Sequence, residues 1–423
     1  MEGGDSVRHR VAVTGLSART PAGDTVDALW PVLRSGRSVI GPIRSFDASG
    51  LATRFAGEIQ GFDPTAYLSP KMVRQTDRVC QLAIAAALDA YTDADPRQLD
   101  PDRCAVVVGT GMGGSESFYT QVRAFIENGP DRISPWAIPM IMPNAAASLI
   151  ARQLRWRGPN FCISTACTAG ANAIGEGVRL IRDGSADVVL AGGAEAAVNP
   201  IVVAGFARMH ALSTRNAEPE TASRPFDGER DGFVLAEGSA FVLLERLDRA
   251  VARGARIHGE VAGYGFNSDA YHSTMPHPEG RGAVDCMRLA LRDADVDPAD
   301  VGHINAHGTS TMLNDAAEAQ AIHTVFGGAA PPTTSTKGSL GHLVGAAGAV
   351  EVVASLLALR HGEIPPTANL RTRGSDIPID VVAGVPRTGR PGPILTNSFG
   401  FGGHNASLVL ASVDSGGATV RSN

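Results

Sequence analysis

Lysine is almost absent from this chain of 423 residues: Lys71 and Lys337 are the two lysines among 37 cationic side chains, the rest being arginine. So one-sided a usage reflects genomic base composition, and it marks each remaining lysine as a place where a compact ammonium serves and a planar guanidinium does not. Cysteine is sparse as well. Its five residues, Cys80, Cys104, Cys162, Cys167 and Cys286, are odd in number and irregularly spaced, which excludes a disulfide framework and fits a reducing compartment. No C-x-x-C or H-E-x-x-H occurs, so no metal centre of the zinc type is expected. The chain also lacks a charge-free apolar run of membrane-spanning length: the most apolar window, residues 342–359, contains Glu351 and reads as a buried helix. Residues 1–10 hold none of the apolar residues in series that a secretory leader needs, and the expected location is the cytoplasm. An excess of positive charge is missing too. With 37 cationic against 43 acidic residues the net charge is −6, which leaves no electrostatic footprint for nucleic acid.

What the chain has in quantity is alternation. Short β-rich runs such as Val11 to Gly15, Ala105 to Gly109 and Asp187 to Gly192 end in glycine, and amphipathic stretches follow them. Helices are predicted over residues 73–94, 144–155, 169–182, 283–293, 316–326 and 345–361, the pattern of an α/β layered fold with largely parallel strands. A polar stretch at 216–232 carries Pro219 and Pro225 and reads as a long structured loop before an apolar strand at 233–244. Beyond it the order of strand and helix starts again, which suggests two related halves, residues 1–252 and 253–412, with a flexible tail at 413–423.

Five constellations could carry chemistry. Gly109-Thr-Gly-Met-Gly-Gly114 satisfies G-x-G-x-x-G after a strand, but acidic Glu116 stands where a pyrophosphate would sit and no acidic strand end follows at the distance a ribose needs. A close strand-to-helix turn is the better reading, and no cofactor is expected. In Phe161-Cys-Ile-Ser-Thr-Ala-Cys167-Thr-Ala-Gly an apolar strand meets a helix, so Cys167 lies near a helix N-terminus, where backbone N–H groups favour a thiolate and can receive an oxyanion. Asn305-Ala-His307-Gly-Thr309-Ser-Thr311 and Lys337-Gly-Ser-Leu-Gly-His342 each deliver a histidine from a Gly-rich turn, and the second keeps one of the two lysines. Asn397-Ser398-Phe399-Gly-Phe401-Gly-Gly-His404 is a turn rich enough in glycine to bring backbone close to a ligand. Singly these signals are weak, because a small buried cysteine is a common core residue and a lone histidine is more often a satisfied polar group than a catalyst.

Together, and in this order, ten motifs resemble the β-ketoacyl-[acyl carrier protein] synthases of the condensing-enzyme (thiolase-like) family over nearly the whole chain. They are VAVTGLSARTPAG from Val11, PMIMPN from Pro139, STACTAG from Ser164, GGAEA from Gly192, ALSTRN from Ala211, SRPFDGERDGFVLAEG from Ser223, SDAYH from Ser268, INAHGTST from Ile304, STKGSLGHLVGAAGAVE from Ser335 and NSFGFGGHN from Asn397. The subgroup it resembles most is the elongating synthase II type, bacterial, from a fatty-acid or type II polyketide system.

The resemblance implies an αβαβα five-layered sandwich of two duplicated halves. It also implies an acyltransferase that condenses an acyl group held on Cys167 with malonyl-[acyl carrier protein] and releases carbon dioxide. His307 and His342 would stabilise the enolate, Lys337 with Glu351 would orient His307, and the N–H groups of Cys167 and Phe399 would receive the oxyanion, with Phe399 also a gate. Thr309 and Thr311 would meet the phosphopantetheine arm. Met112 would limit the acyl tunnel, with Ile138, Met142 and Phe399 shaping the pocket around it, and Phe401 would also bind substrate. Asn305, Glu351, Asn397 and Ser398 lie where some relatives hold a monovalent cation. Lys71, Arg74 and Arg78, spaced along one predicted helical side, would meet the acidic carrier protein. Assembly would be a homodimer, or a heterodimer with a chain-length factor. A chain-length factor itself would lack the nucleophile, a degradative thiolase would place a second cysteine in a C-terminal Gly-rich turn, and a starter-type synthase would pair His with Asn.

Overall fold

The computed structural model describes residues 9–389 and 392–413. All of the expected tail except Val413 lies outside the described residues. Ten strands form one hydrogen-bonded sheet: β1 (Val11–Arg19), β2 (Cys104–Gly109), β3 (Asn160–Ile163), β4 (Val188–Glu195), β5 (Gly238–Arg246), β6 (Gly259–Ser268), β7 (His303–Asn305), β8 (Thr333–Thr334), β9 (Ile394–Gly400) and β10 (His404–Ala411). The strand order is β8-β7-β9-β10-β6-β1-β5-β4-β2-β3. Counted outward from β1 and from β6, the two sets of five strands have the same order and the same directions: two antiparallel pairings, then two parallel ones. The duplication seen in the order of elements is therefore a duplication of topology.

The strands are not largely parallel. Of nine pairings five are antiparallel, because β5 and β10 each return against their neighbours and β1 meets β6 head to tail. Direction was not visible in sequence, since strands buried on both faces read as continuous apolar runs whichever way they point.

The principal helices repeat as well: α1 (Arg78–Ala94), α2 (Ala145–Leu154) and α3 (Ala169–Arg182) in the first half, α4 (Arg281–Ala294), α5 (Met312–Phe326) and α6 (Ala347–His361) in the second. Among the described residues the half-sheets pair at Ala12↔Glu260 and Val13↔Gly259, and α3 and α6 pack between them, each touching strands of both. Three cores result. One lies around α1 and α2, one around α4 and α5, and a central one joins Ile174 and Val178 of α3 to Val350 and Val353 of α6. This is an αβαβα sandwich, and α6 is the most enclosed of its principal helices, buried along residues 347–358. Its apolar surface all round has no solvent face to satisfy.

Several expected boundaries move. The helix expected from residue 73 begins at Arg78, because Asp77 caps it by accepting from Val79 N, while Ser69 caps a separate short helix, Pro70–Val73. The strand expected from residue 233 begins at Gly238, and the one before Lys337 is reduced to Thr333–Thr334.

The central helices approach at backbone distance. A Cβ on Gly348 would lie 2.8 Å from Ala171 N and 2.8 Å from Ser398 Oγ. Alanine gains about 1 kcal/mol of helix propensity over glycine, but here the obstacle is main chain and cannot rotate away. Gly348→Ala is expected to be a net destabilisation of about 1–3 kcal/mol, read as a lower midpoint of thermal unfolding; a midpoint at or above that of the parent would contradict this account of the crossing.

Candidate active site

The cysteine sits on a strained elbow. β3 ends at Ile163, Ala166 adopts φ +51°, and a single 3₁₀ turn, Ala166–Thr168, leads directly into α3. A non-glycine residue at positive φ persists only where its surroundings over-determine it. Here the turn at Gly400 passes over the elbow so closely that a Cβ there would stand 3.1 Å from Cys167 N. Cys167 is buried, with Sγ 3.1 Å from His342 Nε2.

The histidines arrive from the second half. His307 follows β7, and the carboxylate of Glu318 on α5 fixes its turn, accepting from His307 N at 2.8 Å and Gly308 N at 2.7 Å. His342 precedes α6 and is held by the first half: its N–H donates to Val234 O at 2.7 Å, and its carbonyl accepts from Ala236 N at 2.9 Å. The two rings are 5.3 Å apart and nearly perpendicular. The Cys167 sulfur and one nitrogen of each ring lie within 4.8 Å of one another.

Lys337 stands behind this group, buried. Its Nζ donates to the His307 carbonyl at 2.6 Å and forms an ion pair with Glu351 of α6. It therefore holds the His307 main chain rather than the ring.

Burial sets the protonation states. It pushes the Cys167 thiol up to about 12, against the opposing pull of the Lys337 charge and of the Phe401 N–H on the sulfur. The helix-terminal position alone suggested a thiolate; enclosure reverses that expectation. Both imidazoles are held well below the usual histidine range, first by burial and then by Lys337, with His342 adding to the effect on His307. The resting site is a neutral thiol against two neutral imidazoles.

The amide near the sulfur belongs to Phe401, not to Phe399. Phe399 lies inside β9, paired with Asn405, and its ring faces His307 at 6.1 Å, whereas Phe401 begins the turn beyond the strand. Cys167, Met112, both histidines, Thr309, Thr311, Phe399 and Phe401 line one cavity of about 400 Å³. The Thr309 and Thr311 hydroxyls meet at 3.0 Å. Their turn is braced from the first half by Arg230, a fully buried guanidinium that donates to Thr311 O and Met312 O at 3.2 Å each. Ile138 and Met142 do not line this cavity; they are exposed, as are Phe118, Phe125, Ile126 and Trp136.

Two buried carboxylates that hold turns of the site, among others, had no role in the sequence reading. Glu318 is one. Glu195, at the end of β4, accepts from Gly111 N at 2.7 Å, Met112 N at 3.2 Å and Gly345 N at 3.0 Å. Those are the amides a pyrophosphate would need, so the G-x-G-x-x-G turn is closed to a dinucleotide and instead ties Met112 to the approach of α6. Burial pushes both carboxyls up to about 7. The available signal was an acid ending an otherwise apolar strand.

Of the expected cation set, Asn305 Oδ1 is buried with no hydrogen-bond partner, and Glu351 faces Ser398. Asn397 Oδ1 accepts instead from Ser407 at 2.8 Å. Asn305 and Glu351 are hard oxygen donors that fit a monovalent cation; Asn397 is otherwise engaged.

The three cations expected on one helical side are separated. Lys71 and Arg74 are exposed around the short helix, but Arg78 opens α1 and forms a two-pronged ion pair with Glu237 at 2.8 and 2.7 Å.

Comparison with known proteins agrees with this architecture. The Beta-ketoacyl synthase N-terminal domain model matches residues 8–250 and the C-terminal domain model residues 258–371. The chain is 46% identical to the 3-oxoacyl-[acyl-carrier-protein] synthase 2 of Synechocystis sp. over 95% of its own length and 98% of that protein's. It is similar to the ishigamide ketosynthase/chain length factor structure (TM-score 0.91, 37% identity, covering 96% of this chain and 100% of that one). A second structure, of a type II PKS acyl-carrier protein in complex with its ketosynthase bound to the hexaketide, matches with TM-score 0.88 and 32% identity over 96% of this chain and 100% of that one.

Lys337→Met tests the electrostatics. It removes the one cation that favours the thiolate and leaves Glu351 buried without its partner, so Cys167 alkylation by iodoacetamide should slow at each pH between 7 and 10 and stability should fall by about 3–5 kcal/mol. Unchanged alkylation would place the Lys337 charge outside the control of the sulfur.

Proposed function

The chain belongs to the β-ketoacyl synthase family, and from that premise we infer how its residues carry out the family's decarboxylative condensation. The protein is an acyltransferase that joins an acyl group to a malonyl unit and yields a 3-oxoacyl-[acyl carrier protein] in chain elongation. The observation that carries the residue assignment is the convergence of the Cys167 sulfur with two neutral imidazoles in one closed cavity.

Cys167 attacks the carrier thioester beside His342 Nε2, 3.1 Å from the sulfur; the acyl group moves to Sγ, and the thiol proton goes to the departing pantetheine sulfur. Malonyl thioester then enters along Thr309 and Thr311. His307 and His342 donate to its thioester carbonyl as carbon dioxide leaves, and because both are neutral they stabilise the enolate without first losing a proton. The enolate carbon attacks the acyl carbonyl, the N–H groups of Cys167 and Phe401 receive the oxyanion, and collapse expels the Cys167 thiolate, which takes a proton from water to return to the resting thiol. Lys337, paired with Glu351, positions His307 through its carbonyl. Met112 limits the acyl chain, and Phe399 lines the pocket beside His307. Asn305 and Glu351 would hold a monovalent cation, which would supply fixed positive charge behind Lys337. The substrate-bearing partner is acyl carrier protein, which implies a cytoplasmic setting. The exposed apolar residues Phe118, Phe125, Ile126, Trp136, Ile138 and Met142 support pairing with a second copy. Pairing with a chain-length factor is the second reading, favoured by the likeness to a ketosynthase/chain length factor structure.

Intact-protein mass spectrometry of the purified chain mixed with acyl carrier thioester, then malonyl carrier protein, is expected to show acylation of the parent and not of Cys167→Ala, followed by a carrier-bound 3-oxoacyl product. No acylation with any chain length would sink the assignment; acylation without condensation would select the heterodimer.

Lys71 and Arg74 remain available to an acidic carrier. Reversing both to Glu is expected to raise KM for carrier-bound substrate roughly tenfold at low salt and to leave pantetheine thioesters unaffected. Arg78→Glu should instead lower stability, since it faces Glu237. Equal loss with both substrate forms would remove Lys71 and Arg74 from the docking surface.

A further inference from the structure

The hydroxyl groups on either side of the nucleophile converge on one buried amide. Asn172, in the first turn of α3, is 7% exposed. Its Oδ1 accepts from Thr165 Oγ1 at 2.8 Å and from Thr168 Oγ1 at 2.7 Å, and Thr168 shares its single proton with Thr165 O at 2.8 Å. Its Nδ2 donates to Tyr264 Oη at 2.7 Å. Tyr264 comes from β6, in the other half of the molecule, and α3 can approach it because residue 175 is glycine: a Cβ there would lie 2.4 Å from the tyrosine ring. None of Thr165, Thr168, Asn172 and Tyr264 lines the cavity, so no direct contact with substrate accounts for this arrangement.

Thr165 and Thr168 bracket Ala166 and Cys167. Ala166 is the residue at φ +51°, a backbone state that relaxes unless its flanks are fixed. Relaxation there would swing Sγ away from His342 Nε2. We propose that Asn172 is the positioning residue of the nucleophile: it ties Thr165 to Thr168 across the strained elbow and so aims the Cys167 sulfur, and Tyr264 from the second half sets the orientation of its amide. The network joins β3, α3 and β6, which makes the aim of a first-half nucleophile depend on a second-half strand. The inference rests on Cys167 being the group that is acylated.

The test compares Asn172→Ala, the double substitution Thr165→Val/Thr168→Val and the double substitution Thr165→Ser/Thr168→Ser with the parent. It measures single-turnover acylation of Cys167 by acyl carrier thioester, alkylation of Cys167 by iodoacetamide, and thermal unfolding. Misplacing a reacting atom by about 1 Å costs on the order of 100-fold in rate. Asn172→Ala and the valine pair are expected to acylate about 10- to 100-fold more slowly with KM unchanged, while the serine pair, which keeps both hydroxyls, stays within about threefold of the parent. Valine is close to threonine in shape, so the valine pair decides the matter if the space left by Asn172→Ala prevents folding. Acylation by the valine pair at the parent rate overturns the proposal, and so does a lowered unfolding midpoint with the rate unchanged, which would make the network structural only. If the parent is alkylated but never acylated, the condensing assignment of Cys167 fails instead, and the ratio of alkylation rates between valine and serine pairs still decides whether the network aims the sulfur.

Discussion

Everything assembled at the site depends on how closely α3 and α6 pass each other between the two half-sheets. Ala171 and Gly348 bring main chain against main chain, and a Cβ on Gly170 would stand 2.8 Å from Gly345 O. At that separation the segments leading into the two helices must share one space. Cys167 lies at the start of α3 and His342 a few residues before α6, so a 3.1 Å contact between sulfur and imidazole follows from the crossing. A larger residue at the crossing would part the helices and, with them, the reacting groups. Because the fold is a topological duplication, the nucleophile and its histidine occupy related places in the two halves, each ahead of the central helix of its own half.

The same enclosure governs the electrostatics. Removing the site from water disfavours every charged form: the thiol is pushed up to about 12, both histidines are held low, and Glu195 and Glu318 are pushed up to about 7. Against that background the buried ion pair of Lys337 with Glu351 stands directly behind the reacting groups. It acts at a distance on the sulfur and by hydrogen bond on the His307 carbonyl. The carboxylates serve as acceptors that fix turns. Glu318 holds the turn of His307, and Glu195 holds the turn of Met112 and the approach to α6. Arg230 does the equivalent for the turn of Thr309 and Thr311. The turns that carry His307, Met112 and the Thr309–Thr311 pair thus each have a main chain anchored by a buried polar side chain of a different element.

Much of this was legible in the chain itself. The span of α3 was read to the residue, since small residues, a helical apolar face and a polar C-terminal end agree there. Cys167, His307, Lys337 and His342 stood out because each sits in a Gly- or Thr-rich turn after a strand, and Lys337 because lysine is otherwise nearly absent. The errors have identifiable causes. Phe399 and Phe401 are two residues apart, the repeat of a strand, so pattern alone could not say which amide leaves the ladder. Arg78 fell on the same helical side as Lys71 and Arg74 only if the helix ran unbroken; Asp77 caps a new one, and Glu237, distant in sequence, takes the guanidinium.

By itself, then, the sequence determined the kinds of element, their order, the duplication and the residue types at the turns, because these depend on neighbours along the chain and on periodicities of two and 3.6 residues. Tertiary structure alone decided strand direction, the partner of Arg78, the amide that reaches the sulfur, the neutral state of thiol and imidazoles, and the convergence of Thr165, Thr168 and Tyr264 on Asn172. Each of those is set by groups far apart in sequence and by the exclusion of water, and neither quantity exists until the two halves have closed on α3 and α6.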